Sequence, residues 1–428
     1  MPALSQPLAT VIVGAGPAGL ALALALAERN LPVTLVEASR DAHAAVRGEA
    51  LMPSGLAAID ALGLSPLPAG LPRRRLSGWS FQIEGRELFS WPEPVAPDAG
   101  CTLIDQRALL QAWRQRALAL PQLTLLEGVA AVELLERPAG GGGLEEASGS
   151  SLPGGGTAAI GGVRLADGRP LRADLVVACD GRGSLLRQRS GLPCPTRLDA
   201  REVLWFLLNG ASVESLARWL AGRFVTVVGP GAAYALFERA AGGVQLGLLH
   251  PAGQPLARQT PAPWRARWAA AAPPDLAQLL EHLEDGAVSG PQRLPVPVGC
   301  AERWQRPGLL LLGDAAHPMS PLRAQGLNMA LRDAQVAAQL LLPRLRQGEA
   351  AGLEPALRRI AAARRQEIQV IQALQRREAL QGELLQRAPA LRWLLAANTP
   401  WCGPLLASRW AASQRLLRHG VLALTPLD

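Results

Sequence analysis

Lysine is absent from this chain of 428 residues, so all 43 of its lysine-plus-arginine positions are arginine. Such uniform use is typical of a coding bias in the source genome, and it weakens any functional argument from arginine number. The net charge is +8, yet the arginines are spread along the chain and do not cluster among aromatic residues. We therefore expect no nucleic-acid partner, because such partners require a concentrated basic surface.

Cysteine and histidine are also scarce, with five of each, and both are scattered. An odd number of cysteines without a CxxC pair argues against a disulfide framework or a zinc site, so we expect a reducing, cytoplasmic compartment. The scattered histidines indicate no metal-binding cluster. The cysteines are Cys101, Cys179, Cys194, Cys300 and Cys402.

An apolar run from Ala9 to Ala27 is long enough for a signal sequence or a membrane span, but it contains glycines and lacks a basic leader. A strand from Thr10 to Val13, a GAGPAG turn and a helix from Leu20 to Arg29 explain it better. A second strand, Pro32 to Glu37, then completes a βαβ unit.

The spacing within this unit predicts a dinucleotide site, in which an acid follows the last glycine by about 20 positions. The glycines let the backbone approach a pyrophosphate at a helix N-terminus, and the acid accepts a hydrogen bond from a ribose hydroxyl. An ordinary glycine turn is the alternative. The residues assigned to nucleotide binding are Gly14, Gly16, Gly19 and Glu37.

Two further strand ends carry acids, within ACDGRGSLLR at 178–187 and GDAAHPMSPLRAQGLN at 313–328. Open α/β sheets place ligands at such carboxyl ends. Alternatively, Asp180 caps a helix while Arg187 is a surface charge, and Asp314 belongs to an ordinary strand-to-helix loop. We interpret His317 as structural, because nothing places a substrate proton near it.

Between about 200 and 300, alternating segments predict a mainly antiparallel sheet and then a helical region broken at Pro273 and Pro274. We therefore expect a nucleotide-binding domain at 1–195 and 290–345, a flexible insertion at 138–162, a substrate domain at 196–289 and a helical region at 346–428. The predicted strands are Glu202–Leu208, Phe224–Val228, Ala232–Glu238 and Val244–His250.

The C-terminal region is predicted to be helical over Leu327–Leu341 and Glu354–Gln386, with shorter helices after Pro389 and Pro404. Its tryptophans are expected to pack these helices against the body. The alternative is a basic amphipathic anchor that touches a membrane, because arginine beside tryptophan and leucine suits either use. The tryptophans are Trp393, Trp401 and Trp410.

The three motifs, in this order over roughly residues 9–340, resemble those of the flavin-dependent aromatic hydroxylases. These are single-component monooxygenases with the para-hydroxybenzoate hydroxylase fold, and the chain looks similar to their ubiquinone-biosynthesis branch. The resemblance implies an α/β fold: a Rossmann-like FAD-binding domain, an inserted mainly antiparallel-sheet substrate domain and a helical C-terminal tail.

The resemblance also implies roles for individual residues. Gly14, Gly16 and Gly19 would face the FAD pyrophosphate, and Glu37 would bind the adenosine ribose. The ribityl chain would meet Gly313 and Asp314. The remaining matches are Arg47 and Arg107 on FAD, Asp180, Gly181 and Arg187 on FAD and the NAD(P)H pyrophosphate, and Gln325, Gly326, Leu327 and Asn328 beside the isoalloxazine ring.

One position departs from the family, which has a glycine pair where this chain has Arg323-Ala324, near Pro321 and the expected flavin ring. Side chains there restrict the backbone and add bulk. The Arg323 guanidinium either pairs with an acidic substrate, favours anionic reduced flavin, or faces solvent. Helix amides after Pro321 can stabilise negative charge on reduced flavin.

By resemblance, NADPH or NADH reduces FAD, and O2 forms a C4a-hydroperoxide that hydroxylates an aromatic, quinone-precursor or isoprenoid substrate. Alternatives are a flavoenzyme that inserts no oxygen, such as a prenyl reductase, or a flavin-binding partner in a membrane-associated biosynthetic complex. A halogenase is disfavoured because the WxWxIP segment and lysine are absent. The side chains that either line an apolar pocket over the flavin or pack in the core are Trp205, Phe206, Phe224, Tyr234 and Phe237.

Overall fold

The computed structural model describes residues 6–40, 49–95, 100–137, 158–198, 201–256, 260–293, 297–423 and 425–427. Its helices, α1 to α11 in chain order, are Pro17–Ala27, Pro53–Ala61, Gln106–Leu118, Leu185–Arg189, Glu214–Leu220, Pro261–Ala269, Pro274–Glu281, Gln325–Gln347, Ala350–Arg387, Pro389–Ala397 and Thr399–His419. Short 3-10 turns are formed by Ala211–Val213, Asp285–Ala287, Gly313–Ala315 and Leu322–Ala324.

The strands of the described residues fall into several sheets. In chain order, β1 to β21 are Thr10–Val13, Val33–Glu37, Ala50–Leu51, Arg73–Arg75, Gly78–Ile83, Arg86–Pro92, Thr102–Ile104, Leu123–Glu127, Ala131–Glu136, Ile160–Leu165, Pro170–Arg172, Leu175–Ala178, Thr196–Leu198, Arg201–Leu208, Arg223–Gly229, Ala232–Glu238, Val244–Pro251, Val288–Arg293, Pro297–Gly299, Gln305–Arg306 and Leu309–Leu311.

A six-stranded sheet in the order β20-β21-β12-β1-β2-β8 forms the centre of the molecule. Its strands are parallel except for β20, which runs antiparallel to β21. One face packs on α1, α3 and α8 and the other on α9 and on β9 to β11, so both faces are buried. The predicted Rossmann-like α/β fold is confirmed, and five parallel strands end side by side at one edge.

The second sheet, in the order β18-β14-β17-β16-β15-β5-β6, is antiparallel except between β5 and β15. The prediction of a mainly antiparallel sheet is confirmed. However, β5 and β6 come from residues 78–92, which we had placed in the nucleotide-binding segment, and β18 extends to Arg293. Local pattern could not reveal this membership because Gly78 pairs with Arg223, far away in sequence. The domain limits themselves stay a prediction.

Strand alternation separates the five aromatic residues that were expected to line one pocket. Phe206 and Tyr234 face the outer side of the sheet, where they pack among residues of α5 to α7, and the Tyr234 hydroxyl donates to the Trp268 carbonyl at 2.8 Å. For these two, the core-packing alternative is correct. Trp205, Phe224 and Phe237 lie on the inner side, in a cluster with Trp79.

The C-terminal helices contain the predicted ones but extend beyond them, and α11 begins at Thr399 instead of after Pro404. Trp410 packs against aromatic residues of β5 and β6, as expected. The prediction is wrong for Trp393 and Trp401, which are 69% and 86% exposed. Among the described residues, no helix combines the length and apolar character needed to cross a bilayer.

The expected flexible insertion at 138–162 lies largely outside the described residues, which resume at residue 158. Its last part is not a loop, because Ile160–Leu165 form β10 and pair with β9. Ile160 and Val163 are buried in the core. These two apolar anchors, separated by two glycines, were too few to predict a strand.

Candidate functional site

The three glycines of the first turn have different surroundings. Gly14 has a φ of +103°, and a Cβ there would lie 2.3 Å from the Cys179 carbonyl oxygen. A Cβ on Gly19 would lie 1.9 Å from the Gly14 carbonyl oxygen. A Cβ on Gly16 would meet no described atom within 4 Å, so this face in front of α1 is open. Two glycines thus permit close packing, and the third leaves helix amides accessible to an anion.

Glu37 ends β2 beside this turn. Its Oε2 accepts a hydrogen bond from the Ala15 amide at 2.7 Å, and its Oε1 accepts from the Ser39 amide at 2.9 Å. The carboxylate therefore fixes the glycine turn, and its remaining lone pairs can accept from ribose hydroxyls. The role in ribose binding stays a prediction.

The second motif joins the site through Arg187. Asp180 accepts from the Ser184 hydroxyl at 2.6 Å and the Leu186 amide at 3.1 Å, so it supports the start of the short helix α4, whose N-cap residue is Ser184. Gly181 follows with a φ of +81°. Arg187 is not a surface charge: it is 8% exposed and donates to the Ala315 carbonyl at 2.7 Å. It therefore ties the second motif to the third.

A further link between these motifs, which our sequence reasoning missed, is Arg182. Its Nε donates to Asp314 at 2.9 Å, and both side chains are half-buried. Arg182 lies between two glycines inside the ACDGRGSLLR segment, and this position was the only sequence signal of its role. Asp314 is thereby held at the edge where β12 and β21 end.

Buried charges lie under the third motif. Gly313 has a φ of +61°, and its amide donates to Asp333 Oδ2 at 2.8 Å. The same carboxylate contacts His317 Nε2 at 2.5 Å and Arg364 Nε at 2.6 Å, and these three side chains are fully buried. Burial favours a higher Asp333 pKa, but His317 and Arg364 outweigh it and lower that pKa to about 2. His317 therefore has structural contacts, as we interpreted.

The loop after Pro321 keeps a glycine-like backbone without glycine. Arg323 and Ala324 have φ values of 60° and 49°, in the left-handed region that glycine favours. The Arg323 side chain is 12% exposed and its Nε donates to Glu378 at 2.6 Å, so the solvent-facing alternative is wrong. The alternative that Arg323 pairs with a substrate acid is not supported, because Glu378 already occupies that position beside the guanidinium.

The four residues from 325 to 328 divide into structural and open positions. Asn328 is fully buried: its Oδ1 accepts from the Met52 amide at 2.8 Å and its Nδ2 donates to the Ala50 carbonyl at 3.0 Å. Gln325 donates to the Arg323 carbonyl at 2.9 Å, and Leu327 joins the core. A Cβ on Gly326 would meet no atom of the described residues within 4 Å. Gly326 therefore offers the open face in this segment.

The two arginines expected on FAD are Arg47 and Arg107. Arg47 lies outside the described residues. Arg107 is exposed in the first turn of α3, whose N-cap residue Asp105 accepts from the Ala108 amide at 3.1 Å. Contacts of these and the other assigned residues with a cofactor stay predictions.

This arrangement fits an extended dinucleotide. Gly16 gives a pyrophosphate access to the α1 N-terminus, Glu37 and Asp314 provide acceptors for sugar-like hydroxyls, and Gly326 leaves space for a flat ring beside α8. A parallel sheet with these turns, joined to an antiparallel sheet with an aromatic inner face, is the architecture of a dinucleotide-binding protein.

Comparison with known proteins identifies the family. The chain matches the family described as FAD binding domain over residues 8–369, and it belongs to that family. It is 36% identical over 379 residues to 6-methylpretetramide 4-monooxygenase of Streptomyces rimosus, covering 85% of this chain and 82% of the relative. The chain is therefore an FAD-dependent monooxygenase, which confirms the resemblance stated from its motifs.

The chain is also similar to a second curated relative and to a solved structure. The chain is 27% identical over 379 residues to 3-demethoxyubiquinol 3-hydroxylase of Escherichia coli K12, covering 86% of this chain and 88% of the relative. The structure of P. aeruginosa PqsL in complex with 2-aminobenzoylacetate has a TM-score of 0.72 at 22% identity, covering 91% of this chain and 98% of that one. The latter likeness establishes the fold alone.

Proposed function

We propose that this FAD-dependent monooxygenase uses NAD(P)H and O2 to hydroxylate a phenolic, polycyclic aromatic or quinone-precursor substrate. The observation that carries this is the aromatic inner face of the second sheet, where the ring centroid of Trp79 lies 5.4 Å from the Arg323 guanidinium carbon of the loop at 321–326, and Phe224 and Trp205 belong to the same cluster. Two relatives, named for hydroxylation of 6-methylpretetramide and demethoxyubiquinol, support an aromatic substrate.

The residues of this chain would bind and orient the reactants. The α1 amides behind Gly16 would hold the FAD pyrophosphate, Glu37 the ribose, and Asp314, fixed by Arg182, the ribityl chain. The chemistry that FAD supplies when bound is two-electron reduction by NAD(P)H followed by activation of O2. The amides at the start of α8 would stabilise negative charge on the ring beside Gly326, and the partly exposed Trp205 and Phe224 of the aromatic face would orient the substrate and exclude water.

The test is substrate-stimulated turnover. Purified protein, whose flavin content is first measured by visible absorption, is incubated with NADPH or NADH, O2 and a panel of polycyclic phenols, quinol precursors and isoprenoid alkenes. Faster nicotinamide oxidation with a product heavier by one oxygen atom is expected for an aromatic member. A flavin-loaded protein that oxidises no nicotinamide faster with any of these compounds would contradict the proposal.

A flavin-binding partner without turnover remains the second candidate, because Arg323-Ala324 replaces the family's glycine pair. Both positions keep a left-handed backbone, so the loop has the conformation that glycine would adopt. The substitution is therefore weaker support for a loss of turnover. The same assay separates the two candidates. Flavin-loaded protein that is inactive alone but active with a complex from its source organism would favour the partner role.

The proposed location is cytoplasmic, with peripheral membrane contact through the C-terminal helices. Support comes from exposed apolar side chains on the end of α9 and on α10 and α11, beside exposed arginines, as interfacial helices require. Co-sedimentation with phosphatidylglycerol vesicles should exceed that with phosphatidylcholine vesicles and fall in a Trp393→Ser/Trp401→Ser variant. Equal pelleting of both proteins would contradict it. The exposed side chains are Leu380, Leu384, Trp393, Leu394, Trp401 and Leu405.

A further inference from the structure

The loop beside the expected flavin ring is held in a conformation that its own residues disfavour. Arg323 has φ and ψ of 60° and 20°, and Ala324 has 49° and 38°. A residue with a Cβ is strained in this left-handed region, and such strain persists only where surrounding structure determines it. Two consecutive strained residues therefore require contacts elsewhere that hold them.

The first of these contacts is an aromatic cage around the Arg323 guanidinium. The guanidinium carbon lies 5.1 Å from the ring centroid of Trp410, 5.4 Å from that of Trp79 and 5.6 Å from that of Phe81. All three distances fall within the range of cation–π attraction. Trp79 and Phe81 belong to β5 and Trp410 to α11, so the cage joins the second sheet to the C-terminal helices.

A carboxylate completes the cage. Glu378 on α9 accepts from Arg323 Nε at 2.6 Å, and the two side chains are 18% and 12% exposed. The second Glu378 oxygen accepts from the Gln414 side chain on α11. The guanidinium charge is thus neutralised inside the protein.

Helix α9 also forms hydrogen bonds with the backbone of the same loop. The Gln375 amide nitrogen donates to the Leu322 carbonyl at 2.6 Å and to the Ser320 carbonyl at 3.0 Å. Gln375 is 2% exposed, so these hydrogen bonds are shielded from water. Side-chain and backbone contacts together hold the loop against α9, α11 and β5.

We propose that Arg323 is a positioning residue for the flavin site. Its guanidinium, inserted among Trp79, Phe81, Trp410 and Glu378, locks the loop in the left-handed conformation that a glycine pair would reach unaided. The C-terminal helices α9 and α11 thereby become a required part of the cofactor site, and the cage is a guanidinium-binding site of the chain. This inference rests on the proposed function, because the loop matters for catalysis only if flavin lies beside it.

Two substitutions separate the contribution of the cage from backbone strain. Arg323→Gly removes the guanidinium and permits the left-handed backbone, whereas Arg323→Ala removes the guanidinium and keeps the strain. We expect the FAD dissociation constant to rise about tenfold in Arg323→Gly, from the lost cage contacts. In Arg323→Ala it should rise about fivefold further, because alanine is strained there.

Chemical rescue tests the cage directly. Millimolar methylguanidinium should refill the empty cage of Arg323→Gly, restore most of the FAD affinity and change the tryptophan fluorescence from Trp79 and Trp410. Sodium chloride at equal ionic strength should do neither. Arg358→Ala is the matched control, because Arg358 is an exposed arginine of α9 paired with Glu354 and should respond to neither salt.

The outcomes distinguish this inference from the proposed function. Arg323→Gly that binds FAD like the parent and shows no fluorescence response to methylguanidinium would overturn the positioning role. If the flavin-free variant does respond but neither protein binds FAD, the cage stands and the cofactor assignment fails. If the variant responds and FAD affinity is rescued but no substrate is hydroxylated, the positioning role stands and only the proposed substrate class fails.

Discussion

Two turns, at 14–19 and at 320–326, lie beside the expected cofactor, and both require a backbone with positive φ. They achieve it in different ways. The first uses glycine where a Cβ would collide with backbone atoms of Cys179 and Gly14. The second reaches left-handed conformations at Arg323 and Ala324 through contacts with α9, α11 and β5. The comparison shows that one geometric requirement can be met locally by glycine or remotely by packing. Remote support makes the second turn depend on helices far along the chain.

The largest effect is expected at Asp333, which anchors the segment leading to the second turn. Asp333→Asn removes the buried carboxylate that Arg364 and His317 share, while Arg364 keeps its ion pair with Glu367, and it should reduce the free energy of unfolding by about 3 kcal/mol. Chemical denaturation of flavin-free protein measures this. Asp167→Asn, on the surface, is the control and should change little. An equally small change at Asp333 would show that the second turn needs no buried anchor.

The same site predicts acid sensitivity. The folded pKa of Asp333 is lowered from 3.8 to about 2, so its ionisation stabilises the fold above the unfolded value. That contribution, about 2 kcal/mol, is lost as the pH falls from 3.8 through about 2. Asp333→Asn should lack this part of the pH dependence of unfolding. Parallel stability curves for parent and variant in that window would contradict the assignment.

The glycine turn comes next, with a pair of substitutions that separates folding from binding. Gly14→Ala places a Cβ against the Cys179 carbonyl at a φ of +103° and should reduce the free energy of unfolding by about 3 kcal/mol. Gly16→Ala meets open space, so it should leave thermal unfolding unchanged but weaken FAD binding about tenfold. Equal effects of both variants on stability would contradict the assignment of Gly14 to folding and Gly16 to FAD binding.

A smaller effect is expected from the helix that supports the second turn. Trp410→Ala removes one wall of the cage and should reduce the free energy of unfolding by about 2 kcal/mol and weaken FAD binding. Trp401→Ala, on the same helix but 86% exposed, is the matched control and should change neither. Thermal unfolding and FAD titration provide the measurements. Unchanged FAD affinity in Trp410→Ala would mean that α11 does not support the turn.

The smallest effect is expected at the ion pair between the second and third motifs. Arg182→Ala breaks a half-exposed contact with Asp314, so stability should fall by only about 0.5 kcal/mol. FAD affinity should fall more than stability, because Asp314 loses its orientation toward the cofactor. Calorimetric titration with FAD checks this, with Arg169→Ala as an exposed control. A large loss of stability would mean that Arg182 supports the fold itself.

Motif spacing predicted the first turn well because its geometry is local. Gly19 packs against the Gly14 carbonyl and Glu37 accepts from the Ala15 amide within one βαβ unit, and each of these positions is visible as a residue type. Four strands of the second sheet were equally predictable from alternation, whereas β5, β6 and β18 were missed. The pairing of β5 with β15 and of β18 with β14 joins segments remote in sequence, and no local pattern records such pairing.

The amino-acid sequence by itself determined the parallel sheet, the order of the three motifs and the family, because these depend on local periodicity and on residue types at fixed spacing. Tertiary structure alone decided that Arg323 enters an aromatic cage, that Arg182 reaches Asp314 and that Asp333 holds Gly313. Those contacts join segments brought together by packing. Contacts between charged side chains that are far apart in sequence produce no periodic pattern that could be read from the chain.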